Sequence, residues 1–311
     1  MKLIVEPDEG IAPVLTAIKQ AKRSIDILIF RLDRTDLARA LEDAVARGVV
    51  VRALTAHTNR GGDKSLRRLE LHLLERGVTV SRTADDLIRY HGKMMLVDGK
   101  VLHLYGFNFT SLDIDKSRSF GVVTRNAKLV QEAAKLFAAD FDRQPYTPSS
   151  TSRLIVSPET SRARLAEFLS GAKRQLLIYD PGLTDDAMLR IIAAKLEAGV
   201  DVKIIGKVEA KWKLGCWEKF PGRRLHVRTI VRDGQRAFLG SQSLRKLELD
   251  KRREVGVVIT DRAVVEQLMA VFARDWSETP SGRKAAKKVQ KDMKKGKAVA
   301  PELKLLVAAV P

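Results

Sequence analysis

Two histidines in this sequence stand in matching company. HGKMMLVDGKVLHLYGFN, residues 91–108, carries His91, Lys93, Asp98 and Asn108; HVRTIVRDGQRAFLGSQS, residues 226–243, carries His226, Arg228, Asp233, Ser241 and Ser243. An imidazole titrates near neutral pH, so one ring of a pair can attack as a neutral base while the other donates a proton, the roles exchanging in a second step. Cleaving a phosphodiester needs a nucleophile, an acid for the leaving oxygen and positive charge on the nonbridging oxygens, and the two histidines with Lys93 and Arg228 supply all three. His-x-Lys also argues against a metal site, since a cation beside an ammonium is repelled, and the lone Cys216 offers no thiolate cluster. Singly, each residue has an ordinary explanation: Asp before Gly makes turns, and Asn or Ser at a strand edge satisfies local backbone. Recurrence of the whole set at one spacing is what points to chemistry.

Hairpins must hold these residues. Asp98-Gly99 and Asp233-Gly234 lie between apolar runs, a pattern that predicts two-residue turns. That register pairs Lys93 with Leu104, His91 with Gly106, Arg228 with Leu239 and His226 with Ser241. His91, Lys93, Gly106 and Asn108 then line one surface, and His226, Arg228, Ser241 and Ser243 line its twin, while His103 falls on the other face and is excluded from the site. The duplication extends upstream, where AKRSIDILIF (21–30) parallels AKRQLLIYD (172–180) and RGVVVRAL (47–54) parallels AGVDVKII (198–205) at one offset. Each copy reads helix, apolar strand, helix, β-branched strand, the alternation of an α/β fold with helices covering a sheet.

DKSLRRLELHLLERGVTV adds a helix and strand to the first copy; the second shortens this region to a loop holding Trp212 and Trp217, which either cap the cleft or pack on the core. The Pro- and Ser-rich residues 142–153 read as a linker. The expected division is a first half at 1–147, a second at 148–280 and a basic tail at 281–311. Within the tail, 283–297 place Lys at helical spacing with Ala286, Val289 and Met293 on another stripe, suited either to an anionic surface or to a solvated appendage.

At 311 residues and 45% hydrophobic, the chain can bury a sizeable core, and its +19 formal charge predicts an anionic partner: nucleic acid, acidic membrane or phosphate-bearing substrate. One cysteine excludes an internal disulfide and fits a reducing compartment. No signal peptide is legible in MKLIVEPDEG, and no apolar run approaches the roughly 20 residues of a membrane span, so a cytoplasmic chain, peripheral at a membrane at most, is expected.

The two stretches resemble the HKD motif of the phospholipase D superfamily, matching at His91, Lys93, Asp98 and Asn108, and again at His226, Asp233, Gly240 and Ser241. The resemblance spans roughly residues 1–278. It implies two α/β sandwich halves, each a mixed sheet flanked by helices, related by a pseudo-twofold axis with the active site between them. It further implies that one histidine forms a covalent phosphohistidine and the other protonates the leaving alcohol, with Lys93, Arg228, Asn108, Ser241 and Ser243 around the phosphate and Asp98, Asp233 and Glu254 in support. No metal or other cofactor is implied.

Three features depart from the family pattern: Arg228 for Lys, Ser243 for Asn, and Tyr105-Gly106 for the usual Gly-Ser. The family's downstream orienting carboxylate is Glu254 in the second half, where the first has Ser119. On that spacing Glu254 is expected to prepare His226, whereas family precedent makes the first-half histidine the nucleophile; the choice stays open at this level. The implied function is a metal-independent phosphodiesterase that cleaves or transfers phosphatidyl groups. A nuclease acting on DNA or RNA is the alternative, and a catalytically degenerate phosphate- or nucleic-acid-binding protein the second. A phospholipid is favoured because fused two-motif chains of this superfamily act more often on lipids, and a monomer is expected.

Overall fold

A computed structural model describes residues 1–58 and 63–294. The first half runs β1 (Lys2–Glu6), α1 (Ala12–Gln20), β2 (Ser24–Ile29), α2 (Thr35–Ala46), β3 (Val50–Thr55), α3 (Asp63–Glu75), β4 (Thr79–Arg82), β5 (Arg89–Tyr90), β6 (Met94–Val97), β7 (Val101–Tyr105), α4 (Ser111–Asp115), β8 (Ser117–Thr124) and α5 (Ala127–Phe141). The second repeats the plan without a counterpart of α3: β9 (Leu154–Val156), α6 (Ser161–Ser170), β10 (Gln175–Leu183), α7 (Asp186–Glu197), β11 (Asp201–Val208), β12 (Trp217–Glu218), β13 (Arg224–Leu225), β14 (Thr229–Arg232), β15 (Arg236–Gly240), α8 (Lys246–Asp250), β16 (Arg252–Arg253), β17 (Val255–Ile259) and α9 (Arg262–Ser277). A last helix, α10 (Pro280–Lys294), follows.

Strand order is the same in both copies. The first sheet runs β1-β8-β7-β6-β2-β3-β4 and the second runs, in mirrored order, β12-β11-β10-β14-β15-β17-β9. Both are mixed, because a helical crossover returns β3 parallel to β2 and β11 parallel to β10, whereas tight turns fold the motif strands back antiparallel. In α2, Leu37, Leu41 and Ala44 recur at helical spacing and turn one stripe onto the sheet. Each sheet keeps an outer core of its own, including Ile25, Leu41 and Met95 in the first half and Ile178, Ile192 and Phe238 in the second. Between the sheets lies a third core, where Leu136 and Phe137 of α5 meet Leu268 and Phe272 of α9 together with Leu104 and Leu239. Alternate residues of each motif strand thus feed an outer and a shared core, so a one-residue slip would exchange them.

The hairpin register differs by one residue from the sequence expectation. Val97 pairs with Val101 and Met94 with Leu104; in the second copy Arg232 pairs with Arg236 and Thr229 with Leu239. Both aspartates adopt left-handed backbone, at φ 54° for Asp98 and 56° for Asp233, as do the following glycines, so each turn takes in a third residue. His103 consequently lies opposite Met95, on the same side of the hairpin as Val97. What keeps it out of the site is its distance along the strand rather than its face.

The basic tail also departs from expectation. Residues 280–294 continue as α10, and Ala286 and Val289 are buried, so this segment is packed rather than appended. Residues 295–311 lie outside those described. Trp212 and Trp217 pack against the outer core of the second half, with Trp212 Nε1 donating to Asp186, which favours the packing role over a cap on the cleft.

Candidate active site

Each motif histidine is delivered by a short strand that docks on the opposite half. β5 runs parallel to β16, and the His91 amide then donates to the Arg253 carbonyl at 2.7 Å. Reciprocally, β13 runs parallel to β8 and the His226 amide donates to the Arg118 carbonyl at 3.0 Å. Buried arginines anchor these two carbonyls. Arg118 grips Asp275 through Nε and a terminal nitrogen at 2.9 and 3.0 Å, and Arg253 sits 3.2 Å from Asp140 and donates to the Ser157 carbonyl. Close approach between the copies also explains Gly106, since a Cβ there would stand 3.3 Å from the Gly240 carbonyl and 3.1 Å from that of Phe120.

His91 is buried, and its Nδ1 lies 2.9 Å from Glu254 Oε2. The sequence expectation had assigned this carboxylate to His226; β16 and β17 instead carry Glu254 across to the other half's histidine. Lys93 Nζ lies 2.9 Å from His91 Nε2 and 3.0 Å from Nδ1, and Phe30 meets the imidazole edge-on at 4.5 Å between centroids. The carboxylate at Nδ1 favours the tautomer with its proton on Nδ1 and a free pair on Nε2.

His226 is equally buried but differently served. Its nearest carboxylate is Asp113 of α4, 3.4 Å from Nδ1, and no hydrogen bond forms in that geometry. Asp113 is already engaged, accepting at Oδ2 from the Asn108 amide and side chain at 2.9 and 2.6 Å, and at Oδ1 from Arg224. Ser119, in the place that Glu254 fills in the second copy, is buried with no hydrogen-bond partner for its hydroxyl. The duplicated partner of Asp113 is Glu248 of α8, which accepts from the Ser243 amide at 2.7 Å. Neither Asp113 nor Glu248 was among the expected site residues, although each follows its motif's last residue, Asn108 or Ser243, by five positions. That repeated spacing was the available signal.

The remaining expected residues divide. Lys93 is fully buried, whereas Arg228 is half-buried and donates from Nε to Ser243 Oγ at 3.2 Å, so Ser243 positions the guanidinium. The Ser241 hydroxyl exchanges hydrogen bonds with the Val255 backbone and also acts on Glu254; it stands behind that carboxylate rather than free for a phosphate. Asp98 and Asp233 are at the far ends of the hairpins. Asp98 accepts from the amides of Lys22, Arg23 and Ser24, and Asp233 from those of Lys173, Arg174 and Gln175, so both clamp turns to strand starts and neither enters the site.

The charges act as one cluster. Burial, reinforced by Lys93 and Arg228, holds His91 well below its ordinary titration range. Burial does the same to His226, with Arg228, Lys93 and Arg224 adding to it. Burial lowers the Lys93 ammonium to about 7, opposed by Glu254, and pushes the Glu254 carboxyl up against the pull of Lys93. The same two cations therefore bear on both rings, so the histidines share one electrostatic environment.

The chain matches the family model described as cardiolipin synthase, PLD-like domain, over residues 14–141 and 165–276. Among curated proteins it is 26% identical over 172 residues to the mitochondrial cardiolipin hydrolase of Homo sapiens, covering 55% of this chain and 65% of the relative. It is 21% identical to the cardiolipin synthase of Listeria innocua, covering 88% of this chain and 68% of that one. Among solved structures, polyphosphate kinase from Porphyromonas gingivalis superposes with a TM-score of 0.73 at 19% identity, over 88% of this chain and 46% of its own. Phosphatidylserine synthase of Haemophilus influenzae gives 0.64 at 12% identity, over 86% and 84%. The chain spans just under two thirds of the human relative and just under half of the kinase, and at these identities the superpositions speak to fold alone.

Proposed function

From the premise that this chain belongs to the phospholipase D superfamily, we propose that it cleaves or transfers phosphatidyl groups with His91 as nucleophile and His226 as acid and base. One observation carries the assignment of roles: Glu254 on His91 Nδ1 at 2.9 Å, against the unbonded Nδ1 of His226. A carboxylate at Nδ1 fixes the tautomer and raises the basicity of Nε2, which suits attack. In the first step His91 Nε2 bonds to phosphorus, the bond to the leaving oxygen breaks, and the charged His226 gives that oxygen a proton. Water, or an acceptor alcohol in the transfer case, then attacks phosphorus, its proton passes to the neutral His226, and the phosphorus–nitrogen bond breaks.

The charge balance requires that substrate prepares its own acid. Burial, with Arg228 and Lys93 adding to it, disfavours a charged His226. A phosphodiester between these cations offsets their field, so His226 takes up a proton as substrate binds. Lys93 then turns from the His91 ring to a phosphate oxygen, and Arg228, held by Ser243, meets another.

An acidic glycerophospholipid is the favoured substrate, supported by relatives whose names specify cardiolipin. The +19 charge equally suits a nucleic-acid diester at the same site, which is the competing reading. Incubation with cardiolipin-containing mixed vesicles, and separately with DNA and RNA, followed by mass identification of products, distinguishes them. Phosphatidic acid or a new phosphatidyl alcohol is expected; nucleotide fragments without a lipid product would establish the nuclease, and no product from either would leave a binding protein.

A further inference from the structure

We propose that the mouth of the cleft docks on an anionic phospholipid bilayer through Ile88, Leu112 and Leu247, with Lys116, Lys246 and Lys251 beside them. The inference rests on the phospholipid reading above. Six large apolar side chains are exposed among the described residues, and three of them border the motif residues: Ile88 at 56%, Leu112 at 50% and Leu247 at 38%. Their placement follows from the site. Leu112 and Leu247 occupy corresponding positions in α4 and α8, each one residue before the carboxylate, Asp113 or Glu248, that turns inward. Ile88 precedes the strand that delivers His91, and its amide donates to the Lys251 carbonyl at the end of α8. Thus the segments that build the site on their inner side present aliphatic tips on their outer side, in both halves.

Acids also stand near these tips: Asp85 and Asp86, three and two residues before Ile88, are exposed and have no ion pair among the described residues, whereas the acids at the ends of α4 and α8 are engaged. Asp115 pairs with Arg34 at 2.6 Å and Asp250 with Arg162 at 2.7 Å, so both acids of these helix ends are already neutralised. Lys116, Lys246 and Lys251 are exposed, and none has an ion pair among the described residues. Free ammonium groups next to isolated aliphatic side chains fit an acidic membrane, whose headgroups attract the lysines while the aliphatic tips enter the headgroup–acyl boundary. Nucleic acid would use the lysines and leave Ile88, Leu112 and Leu247 without a role. Docking here would present bilayer phosphodiesters directly to the cleft.

The test uses the full chain and a triple variant, I88S/L112S/L247S, whose altered side chains are all exposed and outside the catalytic set. Partition to vesicles containing cardiolipin should fall at least tenfold, cleavage of vesicle lipid should fall with it, and turnover of soluble bis(4-nitrophenyl) phosphate should stay unchanged. A K116E/K246E/K251E variant should lose the preference for acidic over neutral vesicles. Vesicle binding by the serine variant within twofold of wild type would overturn the proposal, as would sedimentation showing that the wild type self-associates through these residues and the variant does not. Should the wild type cleave neither lipid nor soluble diester while the variant still loses vesicle binding, the docking surface stands and the phosphodiesterase reading fails.

Discussion

The two motif sites share a scaffold and differ in their electrostatic support. Both histidines sit at the end of a crossed strand, both accept field from Lys93 and Arg228, and both are buried. Yet His91 has a carboxylate at 2.9 Å and a fully buried lysine over its ring, whereas His226 has an already engaged carboxylate at 3.4 Å and a half-buried arginine held by a serine. Duplication fixes where two imidazoles stand, and divergence of a few surrounding residues divides the labour between them. A nucleophile benefits from a fixed tautomer, while an acid–base that must gain and lose protons benefits from less restraint.

The strongest way to break this comparison is to remove each ring in turn. On a phospholipid, His91→Ala and His226→Ala should each reduce kcat by about 10⁴-fold or more, and the double variant should be no worse, because the two act as a unit. A nitrophenyl diester separates them, since its leaving group needs no proton. His226→Ala should then release a burst of nitrophenol and accumulate an acid-labile phosphohistidine detectable by intact mass, and His91→Ala should do neither. Phosphoenzyme in His91→Ala would reverse the assignment.

The orienting carboxylates come next. Glu254→Gln keeps the shape but weakens the hold on Nδ1, and a loss of about 100-fold in kcat with little change in KM is expected. Asp113→Asn, whose carboxylate makes no hydrogen bond to His226, should cost about tenfold. Equal losses would remove the distinction drawn between the halves.

Proton linkage gives a smaller, signed effect. Both histidines titrate below their ordinary value near 6.5 in the folded chain, so below that pH the unfolded state binds more protons and stability falls with acidification; above it this contribution is flat. His91→Gln and His226→Gln should each remove part of the loss between pH 7.5 and 5.5 in urea unfolding. At pH 7, sulfate, which does not itself titrate there, should bind with net proton uptake, because its charge raises the lowered values of both rings and of Lys93, which lies at about 7. Calorimetry in buffers of different ionisation enthalpy measures this, and proton release would contradict it. The smallest effect is expected of Arg228→Lys, a change in kcat/KM within about threefold, since the charge is kept and the first copy already uses lysine.

Much of the molecule was legible in the chain. The repeated motifs located both histidines and both cations, and the alternating helices and strands announced an α/β fold with helices covering a sheet, because periodicity and turn residues are local properties. The hairpin register was not: a left-handed Asp98 inserts a third turn residue and shifts every pair by one, and which residues face the outer core decides that choice. The spacing put Asp98 and Asp233 in the turns but did not reveal Asp113 and Glu248 until the packing of α4 and α8 turned them inward.

Sequence by itself determined the chemical inventory and its duplication, since those are facts of residue type and spacing along one chain. Which carboxylate serves which imidazole was decided only when the halves packed. Glu254 lies 28 residues beyond His226 and reads as its partner, yet β16 pairs with β5 of the other half and carries it to His91 instead. A partner exchanged across an interface leaves no local pattern, because it depends on two surfaces meeting about an axis and not on any repeat within either one.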